Sequence, residues 1–132
     1  MAAKLKLSIL TPEKEFFIGE VTEVNTETTE GKIGILANRS PLVALIKPTS
    51  TSFKEENGTT KKVFTSTGVV SVDNNEVRML CDAAEWPEDI DVRRAEEAKK
   101  RAEQKLSKQD SSVDMRRAEL ALQRAIARIK TK

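Results

Sequence analysis

At 132 residues the chain is long enough for one domain, or for a small domain with an appendage. It has no histidine and a single cysteine, which excludes Ser-His and Cys-His catalysis, the commonest metal ligand and any internal disulfide. The formal net charge of +2 hides a split: residues 1–89 hold 10 Lys and Arg against 14 Asp and Glu, a net of −4, whereas residues 90–132 hold 13 against 7, a net of +6. Two parts with different partners are expected from such a division. Aromatic residues make up only 4%, so the core must be aliphatic. The opening Met1-Ala2-Ala3-Lys4-Leu5-Lys6-Leu7 lacks the apolar centre of a signal peptide. No run approaches the ~20 apolar residues that span a bilayer, so membrane association is expected only through a partner. The lone cysteine points to a reducing, cytosolic setting.

Taken in order, Lys4 to Leu10 alternates, with Leu5, Leu7 and Ile9 on one side, and reads as a half-buried strand ended by Thr11-Pro12. Phe16, Phe17 and Ile18 form a short apolar run closed by Gly19, and Glu20 to Thr28 reads as a separate Val- and Thr-rich strand. Thr29-Glu30-Gly31 is a turn, Ile33 to Leu36 a short buried strand, and Leu42 to Ile46 resumes after Pro41. Thr49 to Lys54 and Lys61 to Thr65 flank Asn57-Gly58, a hairpin dipeptide. Val69, Val70 and Val72 precede the Asn74-Asn75 turn, and Glu76 to Cys81 places Val77, Met79 and Cys81 on one face. Eight to ten short strands predict a small antiparallel β-sandwich or flattened barrel, with Cys81 as a small buried apolar residue.

The composition changes at Asp82. Ala83 to Asp89, which contains the only tryptophan, reads as a linker, with Trp86-Pro87 as a hinge packed on the sandwich. Asp89 can cap a following helix, and Asp91 suits its first turn. From Ile90 the chain has neither Gly nor Pro, so helix propensity is high to Lys132. Ser107 to Ser112 breaks this into two helices of roughly 17 and 18 residues, folded as an antiparallel hairpin. The chain thus divides into a β-sandwich, 1–84, and a linker with a helical hairpin, 85–132, an α+β architecture. Ala95, Ala98, Ala102 and Leu106 make one apolar stripe, and Ala118, Leu122, Ala125 and Ile129 the other. Alanine lets helices approach closely but buries little area, so the hairpin should be marginal by itself.

Two polar stripes carry the functional signal. Asp91, Arg94, Ala98 and Arg101 fall at i, i+3, i+7 and i+10 on one helix face, and Arg117, Ala121, Arg124 and Arg128 form a second stripe. The plain account is a solvated charged face with Glu97 paired to Arg101 at i, i+4. The functional account is a polyphosphate pocket between the helices, since guanidinium forks match phosphate oxygens. No Gly-x4-Gly-Lys-Ser/Thr loop is present, so a nucleotide there would be held without the apparatus for hydrolysis. Glu85, Glu88, Asp89 and Asp91 lack calcium-loop spacing and read as linker and cap, with no metal site. The basic helices lack the aromatics that a single-strand nucleic-acid surface would use.

Glu30-Gly31-Lys32-Ile33-Gly34-Ile35-Leu36, followed by Pro41-Leu42, Ile90-Asp91-Val92-Arg93-Arg94-Ala95 and Arg116-Arg117-Ala118-Glu119-Leu120-Ala121-Leu122 together resemble the epsilon-subunit family of bacterial F-type ATP synthase, over nearly the whole chain. The segment from Ile90 matches that family's ATP-binding signature, Ile/Leu-Asp-x-x-Arg-Ala, at every fixed position. Departures lie in the sandwich: Arg39 stands where many members have His, and Thr67-Gly68-Val69 where Gly-Gly-Phe is common. The resemblance implies a non-catalytic subunit whose sandwich sits against the gamma subunit and the membrane c-ring. Its helices either fold onto the sandwich or extend into the alpha/beta catalytic head and inhibit ATP hydrolysis. It further implies ATP as a regulatory ligand, without a required metal, favouring the folded state. Glu85, Ile90, Asp91 and Ala95 would then lie on the adenine side and Arg94, Arg101, Arg124 and Arg128 on the phosphate side. A ligand at 100 times its dissociation constant favours the state it binds by about 2.7 kcal/mol, enough to reverse a nearly balanced equilibrium. The rivals are the same subunit with a vestigial site and, further off, a nucleic-acid-binding module.

Overall fold

The computed structural model of the chain describes residues 3–108 and 114–132. Nine strands and two helices are found among these residues. The strands are β1 (Leu5–Leu10), β2 (Glu15–Thr28), β3 (Gly31–Leu36), β4 (Leu42–Ile46), β5 (Thr49–Glu55), β6 (Thr60–Thr65), β7 (Gly68–Asp73), β8 (Glu76–Cys81) and β9 (Ala84–Glu85). They follow the order β1-β8-β7-β4-β2-β5-β6-β9, with β3 paired to β2 and β1 also paired to β2. β1 runs parallel to β8; the other pairings are antiparallel.

The alternation read from the sequence sets the interior. Leu5, Leu7 and Ile9 of β1, Val70 and Val72 of β7, and Val77, Met79 and Cys81 of β8 all point into one core with Val21, Val24, Ile35, Ile46, Phe53 and Val63. Burial pushes the Cys81 thiol up to about 12, so at neutral pH it is an apolar filler and no nucleophile. The turns follow their chemistry as well. Asn74 and Asn75 both have positive φ, 48° and 61°, which joins β7 to β8 tightly, and Gly58 at φ 90° turns β5 into β6.

Two strand readings need correction. Gly19 does not end a strand; it sits inside the 14-residue β2, opposite Leu7. A Cβ there would lie 2.9 Å from Cζ of Phe17, so the glycine makes room for that ring two residues back on the same face. The long strand bridges the two layers: Glu15–Val21 pairs with β1, Glu23–Thr28 with β3, and the register slips between Val21 and Glu23 where β5 joins. β3 is less buried than expected, since only Ile35 is fully enclosed while Leu36 is exposed.

Within the stretch read as a linker, Ala84 and Glu85 pair with Thr65 and Phe64 as β9, and Pro87–Asp89 makes a single 3-10 turn. Trp86 does pack on the sandwich: it stacks on Phe16 at 4.7 Å between ring centres and meets Phe17 and Phe53 edge-on. α1 (Val92–Lys108) and α2 (Met115–Thr131) follow, each of 17 residues. α1 extends through Ser107 and Lys108, beyond the expected break; the rest of that break, 109–113, lies outside the described residues. The two helices pack on each other, and α2 also rests on β5 and β6, so this is the folded form of the hairpin.

Gly68 is fixed by contact with backbone alone. It pairs with Ile46 on one side and Cys81 on the other, and a Cβ there would stand 2.0 Å from the Leu80 carbonyl oxygen. Gly68→Ala should therefore lower stability by about 2 kcal/mol or more, seen as a lower urea midpoint at unchanged slope. An unshifted midpoint would mean that the strands part freely at this point.

Candidate functional site

The seam between the helices is alanine. Ala95 and Ala102 of α1 and Ala118 and Ala125 of α2 are the residues buried there, each 5% exposed or less. Ala98, Leu106, Leu122 and Ile129, expected in the same stripes, are only half-buried. Small side chains bring the two backbones close, so long side chains flanking the seam must lean outward along its edge. On one edge this leaves an open groove of about 690 Å³, lined by Ala98, Arg101, Ala102 and Lys105 from α1 and by Asp114, Arg117, Ala118, Leu120, Ala121 and Arg124 from α2. Four cationic side chains thus face one groove whose floor is alanine. Among the described residues its one acid, Asp114, is already engaged: its Oδ1 accepts from the Arg117 backbone N–H at 3.2 Å and caps α2.

The polar stripes are therefore partly brought together. Arg101, Arg117 and Arg124 meet, with Ala98 and Ala121 between them. Glu97 does not pair with Arg101 as the plain account expected; it lies 3.6 Å from Arg93, one turn back. The reason is that Arg101 flanks the seam and faces the groove, while Arg93 and Glu97 share the outer, solvated face.

The remaining candidates lie elsewhere. Arg94 is exposed in the first turn of α1 and is not one of the groove-lining residues. Ala95 is buried in the seam. Ile90 is buried with Phe64 and Ala127 in a small second core between sandwich and hairpin. Glu85 and Arg128 meet each other, Nε to Oε1, at 2.8 Å, and the Arg128 guanidinium lies 4.5 Å from the centre of the Phe64 ring. Asp91, not Asp89, caps α1: its Oδ1 accepts from the Arg94 backbone N–H at 3.1 Å, and its carbonyl accepts from Ala95. Asp89 cannot serve, because it is held in the preceding 3-10 turn. Part of the Asp-x-x-Arg-Ala pattern is thus a helix start.

Several residues of this region were not singled out from the sequence. Lys105 follows Arg101 at i+4 and could have been placed on its stripe. Phe64 stands between the inward-facing Val63 and Thr65, and an aromatic at an outward strand position is itself a sign that something covers that face. Ala127 and Thr131 face the sandwich from α2, and alanine gives no sequence signal for a second buried face.

A second exposed feature lies on the outside of the sandwich. Leu10, Leu80, Val69 and Leu45 are cross-strand neighbours in one row over β1, β8, β7 and β4. Leu45 is 60% exposed, Leu80 52%, and nearby Val43 75%. Among the described residues no helix is long and apolar enough to cross a membrane, and no group of three or more His, Cys, Asp or Glu is placed to hold a metal ion.

A β-sandwich that carries a C-terminal helical hairpin defines a two-part class of chain, and comparison with known proteins says which one. Residues 4–87 match the family model for the ATP synthase delta/epsilon chain β-sandwich domain, and residues 88–132 match the model for its long α-helix domain. The ATP synthase epsilon chain of Clostridium novyi is 57% identical over 130 residues, covering 98% of both chains. That of Clostridium kluyveri is 53% identical over 129 residues, covering 98% of this chain and 97% of the other. In structure, a chain of the Euglena gracilis mitochondrial ATP synthase superposes with a TM-score of 0.85 over 96% of this chain and 80% of its own, at 22% identity, a likeness of fold. The chain belongs to the ATP synthase delta/epsilon family, as an epsilon-type subunit.

The cap on α1 yields a test. Asp91→Ala should cost about 1 kcal/mol and fray the first turn of α1, read as lost helical circular dichroism, whereas Asp91→Asn should retain both. Equal loss in the two variants would mean that charge, and not capping geometry, is what this position supplies.

Proposed function

We propose that this chain is the non-catalytic coupling and regulatory subunit of the central stalk of a proton-translocating F-type ATP synthase. It is held peripherally, through the complex, on the cytoplasmic face of a bacterial membrane. The apolar row across β1, β8, β7 and β4 gives the sandwich a face suited to the gamma subunit and the c-ring. The helical hairpin regulates: extended, it reaches the alpha/beta catalytic head and inhibits ATP hydrolysis; folded on the sandwich, it does not. The +6 charge of residues 90–132 suits an acidic surface in that head.

The observation that carries the sensing part is the groove between α1 and α2. Its volume is within the range of small-molecule sites, about 300–1,000 Å³. Arg101, Lys105, Arg117 and Arg124 offer four positive charges to a triphosphate. Because both helices contribute, a bound anion bridges them and stabilises the hairpin only while it is closed. Glu85, Ile90, Asp91 and Ala95, where the chain leaves the sandwich for α1, are assigned to the adenine end of the same ligand, and Arg94 and Arg128 join Arg101 and Arg124 on its phosphates. On this reading ATP acts as a signal and is not consumed, since the chain has no histidine and no Gly-x4-Gly-Lys-Ser/Thr loop.

A second reading has its own support. The Asp91 carboxylate is used as a cap and the Arg128 guanidinium is held by Glu85, so the same subunit inhibiting without sensing ATP fits those two contacts. Titration calorimetry of the purified chain separates the two. ATP should bind, and Arg101→Gln and Arg124→Gln should each weaken it about tenfold or more, the scale of one hydrogen bond to a charged group. Absence of binding to the unaltered chain would leave only the second reading.

A further inference from the structure

The alanine seam joins α1 to α2, but it does not join the hairpin to the sandwich. Much of that second junction is loose. Between α2 and the β4–β5 turn a gap of about 180 Å³ opens, lined by Lys47, Pro48, Thr49, Gln123, Ile126 and Lys130, and Ile126 is exposed. The tight part is at the C-terminal end of α2. There Arg128 donates through Nε to Glu85 of β9 at 2.8 Å, and its guanidinium lies 4.5 Å from the centre of the Phe64 ring of β6. The Phe64 ring is fully buried, and Ile90 and Ala127 complete the cluster. One turn on, the Lys132 ammonium donates to the Pro87 carbonyl at 2.9 Å.

We propose that Glu85, Arg128 and Phe64 form a latch that keeps α2 docked on the sandwich when no nucleotide is bound. A guanidinium can offer its face to an aromatic ring and its edge to a carboxylate at once, which a lysine ammonium cannot do with fixed geometry. The Glu85 and Arg128 side chains are 34% and 30% exposed. Such a pair is shielded enough to contribute, yet open enough to exchange partners without burying a bare charge. Its position matters most. It ties the end of α2 to β6 and β9, so weakening it shifts the hairpin toward release while the sandwich core stays intact. The latch rests on the reading that the hairpin docks and undocks, but it makes no use of ATP.

The test measures docking directly. Spin labels on Lys32→Cys and Lys130→Cys, two positions that line one surface groove between β3 and α2, report a short distance when the hairpin is down. The buried Cys81 stays unlabelled. Pulsed dipolar spectroscopy is run on the full chain without nucleotide, in the parent and with Glu85→Gln, Arg128→Gln or both. Each single change should raise the undocked-to-docked ratio about fivefold. The double change should do no more than Arg128→Gln alone, since removing the guanidinium already ends both its ion pair with Glu85 and its contact with the Phe64 ring. Parent-like distances in either single variant, or effects that multiply in the double, would overturn the latch. Adding ATP to the parent is a separate arm: no gain of the short distance there counts against ATP sensing and leaves the latch standing.

Discussion

Alanine-on-alanine packing is the constraint from which the behaviour of this molecule follows. Ala95, Ala102, Ala118 and Ala125 let two 17-residue helices approach closely, but each contributes a single methyl group. At about 25 cal/mol per Å² of apolar area, such a seam supplies little beyond what it costs to order the chain. The sandwich is built differently. Leu5, Leu7, Ile9, Met79 and Phe53 interlock in a continuous core, and β2 ties both layers together. One chain therefore joins a sandwich with a continuous aliphatic and aromatic core to a hairpin whose own seam is thin.

The same small residues also shape the site to which the proposed ATP sensing is assigned. Because nothing large fills the seam, the side chains beside it are left to line a groove, and four of them are cationic. Without an anion their mutual repulsion works against closure. With one they become a bridge between helices. The proposed regulation needs no more than a few kcal/mol, the scale of one bound ligand or one protein contact, to shift a hairpin held by so thin a seam. The contact of Arg128 with Glu85 and Phe64 adds a second, local control at the point where the arm meets the platform.

Most of the sandwich was legible because alternation in β1 and β8 and the turn pairs Asn57-Gly58 and Asn74-Asn75 each have one physical meaning. Gly19 misled because a glycine in a strand and a glycine in a turn look alike until the Phe17 ring above it is seen. The helical half was legible in its periodicity but not in its faces. Alanine at i and i+7 marks the seam, yet Ala127 buries a different face against Phe64 and Ile90, and no pattern in α2 announces it. The stripes pointed to Arg101, Arg117 and Arg124 lying together. They gave no sign that Arg128, one turn beyond, is turned to Glu85, since that depends on where the sandwich lies under the helix.

The central claim is that platform and arm are separate in stability. Native-state hydrogen exchange of the nucleotide-free chain, resolved by residue, tests it most directly. The account predicts that amides of α1 and α2 exchange through openings well below the free energy of global unfolding, while those of β1, β7 and β8 exchange only with it. Protection in the helices equal to that in those strands would contradict it, because an arm that opens only when the whole molecule unfolds could not act as a switch.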